Sequence, residues 1–137
     1  MRRAILVIMG SLLAVAALAC AIESSSSPVE GTLRIPNGMG FGGSDDGIVV
    51  QFVEVTGDSR CPANVQCVRA GEAYVKLVVT VDSGPAQESV VEIASQVQPT
   101  FNVDRFTITL LELQPDPPPV GGVAQGQYEL KLRIEEN

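Results

Sequence analysis

From Glu30 onward the apolar residues of this chain recur with a period of two rather than 3.6, which restricts it to strands with one face toward a core. The clearest run is Tyr128-Glu129-Leu130-Lys131-Leu132-Arg133-Ile134-Glu135, apolar on one face and charged with alternating sign on the other. This is the pattern of a half-buried antiparallel strand whose charges pair with neighbouring strands. Ala73, Val75, Leu77, Val79 and Val81 form a second inward row. Residues 48–55 and 106–113 are apolar on both faces in places, which predicts central strands covered on two sides.

Turn residues separate these runs. Ser83-Gly84-Pro85 follows the second long strand, Gln98-Pro99 and Asn102 precede Phe106, and Pro115 to Gly122 divide the last two. Six strands are expected, at 32–35, 47–55, 71–82, 88–95, 105–113 and 128–135. No window has helical periodicity. A sheet with one apolar face and no helix to cover it needs a second sheet, so the expected fold is all-β, a small antiparallel β-sandwich or partly open barrel.

The start of the chain has another character. Arg2 and Arg3 precede sixteen apolar or small residues, Ala4 to Ala19, and then Cys20. That is short of the roughly 20 residues that cross a bilayer. The charged start, apolar run and small residues before the end instead suit a cleavable export signal. Ala17-Leu18-Ala19-Cys20 resembles a lipobox, with Ala17 where a larger aliphatic is usual. The whole stretch is similar to a bacterial lipoprotein signal peptide, which implies removal of residues 1–19, fatty acylation of Cys20 and tethering to a membrane on the extracytoplasmic side. The competing readings are a secretory signal cut elsewhere and a transmembrane helix. After Cys20 the Ser24 to Ser27 run and Pro28 read as a tether, 20–29, ahead of a domain at 30–137. Ala21 lacks the aspartate that resembles an inner-membrane retention signal. An outer membrane therefore fits if the organism has one.

Removal of 1–19 takes away two basic residues and no acidic ones, moving the net charge from −7 to −9. A chain this acidic, with no basic stripe, excludes nucleic acid as a partner. Of three cysteines, lipidation consumes Cys20 and leaves Cys61 and Cys67 as an even pair in an oxidising compartment, where a disulfide is expected. Zinc is the alternative, but there is no histidine and only two thiolates remain.

Three segments carry residues suited to chemistry. The glycine-rich run Asn37 to Gly47 is followed by neither a lysine nor a helix, so it is no phosphate loop. Its Asp45 and Asp46 are hard oxygen donors, and calcium or small-ligand sensing there is the alternative function. The Pro-rich stretch Gln114 to Gln127 either connects strands or presents itself to a partner. The third segment is Asp58-Ser59-Arg60-Cys61-Pro62, then Cys67 and Ala70-Gly71. Asp58 can cap its own turn, Arg60 offers a fork suited to a carboxylate, and Gly71 permits a bulge or close approach. The functional reading makes Asp58 and Arg60 part of a binding surface. This Asp-Ser-Arg-Cys-Pro, Cys, Ala-Gly pattern resembles one that recurs in uncharacterised exported bacterial β-rich domains, often lipoproteins, with Arg69 here where an aromatic is usual. The resemblance covers about sixteen residues, with a weaker echo in 106–115, and implies a disulfide-braced loop feeding a long strand, with no established activity.

Without histidine, Ser-His and Cys-His mechanisms are closed to this chain, and no Gly-x-Ser-x-Gly elbow occurs. No catalytic residues, cofactor or resident metal are expected. The reading is a membrane-tethered extracytoplasmic β domain, a protein-binding or structural lipoprotein of the cell envelope.

Overall fold

A computed structural model describes residues 27–35, 47–94 and 97–137. Seven strands form two antiparallel sheets: β1 (Val29–Arg34), β2 (Ile48–Asp58), β3 (Glu72–Val81), β4 (Gln87–Ala94), β5 (Thr100–Val103), β6 (Phe106–Gln114) and β7 (Glu129–Glu136). One sheet has the order β1-β7-β6-β5 and the other β2-β3-β4. They face each other as a small sandwich, not closed into a barrel, so the barrel alternative is set aside. The one helical element among the described residues is a single 3-10 turn, Gln125–Gln127.

The inward rows are those the alternation predicts. Ala73, Val75, Leu77, Val79 and Val81 of β3 and Leu130, Leu132 and Ile134 of β7 are buried in one core with Tyr128. Each fully buried aliphatic contributes about 1.5–3 kcal/mol relative to an exposed one. The outward charges of β7 pair with β1: Arg133 and Lys131 with Glu30, and Glu129 with Arg34.

Three expectations need correction. The strands at 48–55 and 106–113 are not covered on both faces: β2 lies at a sheet edge, and both strands bury one row. Their doubled apolar character marks β-bulges. Phe52 pairs with Leu77 and Glu54 with Lys76, leaving Val53 as the extra residue. Leu111 is likewise extra between Leu110 and Glu112. Each bulge shifts the alternation, so buried residues lie three apart at Phe52 and Val55, and at Leu110 and Leu113. Second, the sequence missed β5, whose four residues are flanked by turn signals and bury only Val103. Third, β1 begins at Val29, opposite Ile134, so the last residue assigned to the tether belongs to the fold.

Strand directions give the sandwich two distinct ends. The β2–β3 connection (59–71) and the β6–β7 connection (115–128) leave one end, where β4 also finishes. This is the loop end. Val29, the β3–β4 and β5–β6 turns and Asn137 lie at the other. There Arg105 spans the sheets, donating through both Nη atoms to Asp82 and through Nε to Glu136 at 2.7 Å. At about 3.3 Å per residue, the ten residues of β3 separate the two ends by about 30 Å.

Candidate functional site

The loop end is organised by a buried ion pair. Asp58 closes β2, and its carboxylate turns back on the chain: Oδ1 accepts from the Arg60 backbone N–H at 3.1 Å and from Arg60 Nε at 2.9 Å. Oδ2 accepts from Arg60 Nη2 at 2.7 Å and from the Tyr128 hydroxyl at 3.0 Å. All of the carboxylate's acceptor sites are therefore occupied. Arg60 Nη1 crosses to the opposite sheet and donates to the Leu113 carbonyl at 2.7 Å. The two side chains are only 8% and 10% exposed for Arg60 and Asp58. The group joins the end of β2 to the end of β6 and the start of β7, fastening sheet to sheet.

Burial alone would raise the Asp58 carboxyl. Hydrogen bonds from the Arg60 side chain and backbone, the Arg60 charge and the Tyr128 hydroxyl outweigh it and hold the group below its ordinary value. Burial pushes the Tyr128 phenol up to about 12, helped by its bond to the Asp58 carboxylate and by that charge. Neither group is poised to exchange a proton near neutral pH.

The loop grows outward from this base. Ser59 N–H donates to the Glu72 carbonyl and Cys61 N–H to the Ala70 carbonyl, at 2.8 and 2.9 Å, continuing the β2–β3 pairing past the strand ends. Gly71 makes that possible. Its φ is +71°, and a Cβ there would collide with the Ser59 carbonyl. Cys61 and Cys67 are joined by a disulfide, with Cα atoms 5.9 Å apart. Beyond it, Val65 is exposed and Val68 fully so, while Ala63 N–H donates to the Pro118 carbonyl of the Pro-rich connection. The two connections are thus held together.

Of the sequence-predicted positions, Asp58, Arg60, Cys61 and Cys67 come together at the loop end. Asp58 and Arg60 face inward, so the outer surface there belongs to their neighbours. Cys20, Asp45 and Asp46 lie outside the described residues. Among the described residues no group of three or more Cys, Asp or Glu side chains is placed to hold a metal ion. Two contributors escaped the sequence reading. One is the Tyr128 hydroxyl. The other is Gln125, whose side-chain amide donates to the Val55 carbonyl at 2.7 Å and accepts from the Val55 N–H at 2.9 Å, capping the free edge of β2 as another strand would. Neither has a local signal, since each acts on a residue 70 positions away.

In comparison with known proteins, the chain matches no protein-family model, no curated protein and no solved structure. The fold and site define a two-sheet β-sandwich with one end stiffened by a buried Asp-Arg-Tyr cluster and a disulfide loop.

Proposed function

We propose that this chain is a lipid-tethered extracytoplasmic β domain that binds a protein of the cell envelope through its loop end and performs no catalysis. The observation that carries the reading is the position of Val29. The N-terminal strand enters at the end opposite the disulfide loop, so a lipid on Cys20 directs that loop away from the membrane. Recognition on β-sandwiches concentrates in loops fixed by a rigid scaffold. Here Val65 and Val68 offer apolar contact on a braced loop whose exposed charge is Arg69. The absence of histidine and the displaced proton affinities of Asp58 and Tyr128 support a binding role over acid–base chemistry.

Two measurements test this. Mass analysis of the chain from its host should show a mature protein starting at an acylated Cys20. A retained leader or an unmodified thiol removes the tether. Photo-crosslinkers placed at Val68 and at Ser83, on opposite ends, should give a distinct adduct in intact envelopes from the first position and none from the second. Equal capture at both ends removes the loop-end assignment.

A further inference from the structure

Among the described residues four strands lie at a sheet edge, and three of these edges are blunted. β2 carries two bulges, and Gln125 caps its Val55. β5 is four residues long, and β1 is six residues long and borders β2. β4 differs. Its eight residues pair with β3 in continuous register from Gln87 to Ala94, without a bulge, proline or lysine, and no described residue pairs with its other side. Natural edges are normally shielded by one of these devices, because a long regular edge is a template for another strand.

A cleft of about 360 Å3 opens beside the C-terminal half of this edge, between the two sheets. Ile93 and Ala94 form one wall and Leu111 and Leu113 the other. The exposed carboxylates of Glu112 and Asp116 and the buried Arg60 guanidinium also line it, with Arg60 Nη1 3.9 Å from Asp116. On the outer face β4 presents Glu88, Val90 and Glu92. Among the described residues the cation beside them is Lys76, 3.2 Å from Glu88 and 3.5 Å from Glu54. The outer face of the edge therefore sets Glu88 and Glu92 against Lys76, and the cleft side sets Glu112 and Asp116 against Arg60, an acidic excess on both.

We infer that the free edge of β4, with the cleft beside it, takes a lysine- or arginine-rich extended segment of a protein partner by strand addition. Backbone pairing with β4 supplies the docking, as in other strand-addition complexes. Successive residues of the added strand alternate between the faces. Outward basic residues lie beside Glu88 and Glu92. Inward ones pass their aliphatic stems over Ile93 and Leu111 and bring their charge to Glu112 and Asp116. A second copy of this chain fits less well, since symmetric β4–β4 pairing centred on Val90 sets Glu88 against Glu92 twice, and like charges directly opposite are destabilising. The inference deepens the binding reading above and rests on it only for the existence of a protein partner.

The probe is a labelled eight-residue peptide of alternating lysine pairs and valine pairs, which sets lysines on both faces of the added strand and matches the length of β4. Its glutamate–valine counterpart and a version N-methylated along one edge serve as comparisons. The expected result with the full chain is saturable binding about tenfold or more tighter than either comparison peptide, falling with salt. Amide exchange should slow in residues 87–94. The E112K variant, altered at an exposed position outside the Arg60 cluster, should bind about fivefold more weakly with an unchanged unfolding midpoint. No binding, equal binding of the three peptides, or dimerisation through β4 overturns the proposal. Protection confined to 61–70 also overturns it while leaving loop-end recognition standing, and failure of the Val68 crosslink leaves this experiment interpretable.

Discussion

Replacement of Arg60 by methionine tests whether the Asp58–Arg60–Tyr128 cluster fastens the two sheets. The methionine fills most of the aliphatic volume but removes the Nε and Nη2 donors to Asp58 and the Nη1 donor to Leu113. Asp58 keeps only the backbone N–H of residue 60 and the Tyr128 hydroxyl. Breaking a buried ion pair on one side costs about 3–5 kcal/mol, because the remaining charge stays buried without compensation. Since the Asp58 carboxylate retains two hydrogen bonds, the lower part of that range, about 3 kcal/mol, is expected. That is a large share of a stability of about 5–15 kcal/mol and corresponds to a fall in Tm of about 15 °C. The double variant D58N/R60M removes the orphaned charge as well. Urea unfolding with the disulfide intact should therefore give a coupling of about 2 kcal/mol between the two sites.

The same variant has a signature in pH. Asp58 titrates below its ordinary value of 3.8 in the folded wild type, so its contribution is complete above that value and is lost as pH falls through the lower folded one. The gap between wild type and R60M should narrow on acidification from pH 7 to about pH 3. A cost for R60M below about 1 kcal/mol, additivity of the two substitutions, or a gap independent of pH would refute the assignment. Arg105 is the internal comparison. Its clasp on Asp82 and Glu136 is exposed, so R105M should shift the urea midpoint far less than R60M does.

Three other substitutions probe separate parts of the loop end. Gly71→Ala should destabilise by more than about 2 kcal/mol, because a left-handed φ and the Ser59 carbonyl both exclude a Cβ, whereas Gly121→Ala, equally left-handed but with open space around it, should cost about 1 kcal/mol; thermal unfolding of the two separates collision from backbone strain. Cys61→Ser opens a six-residue separation and should lower stability by roughly 2 kcal/mol in urea, with the far-ultraviolet β spectrum unchanged. Gln125→Ala uncovers the N–H and carbonyl of Val55 and should cost about 1 kcal/mol while speeding amide exchange at Val55.

The sequence was most legible where alternation ran uninterrupted, as in β3 and β7, since a period of two needs only local residues to be seen. It misled at the bulges. Val53 and Leu111 shift the pleat by one residue, and in a one-dimensional reading such a shift looks the same as a strand buried on both faces. β5 was invisible for the opposite reason: its pairing with β6 is set by tertiary contact, while its own residues and the adjoining Pro99 and Asp104 read as turn. At the site, a carboxylate partner for Arg60 and the role of Gly71 were readable because they depend on residues within one loop. The inward direction of that pair was not, because it depends on Leu113 and Tyr128, which reach Asp58 and Arg60 only once the second sheet is in place.

The two ends of the sandwich are each closed by an arginine, and the difference between them bears on recognition. At the entry end Arg105 is solvent-exposed, and its ion pairs can break and reform at little cost. At the loop end Arg60 is buried with every acceptor site of Asp58 filled, the disulfide shortens the free span, and Ala63 is tied to Pro118. These restraints order the β2–β3 and Pro-rich connections before any partner arrives. Ordering a contact side chain or loop on binding costs about 0.5–1.5 kcal/mol per immobilised group, and a surface fixed in advance avoids much of that cost. Loosening the Asp58–Arg60 pair should therefore weaken loop-end binding through Val68 without removing any contact there, an effect a purely architectural cluster would not produce.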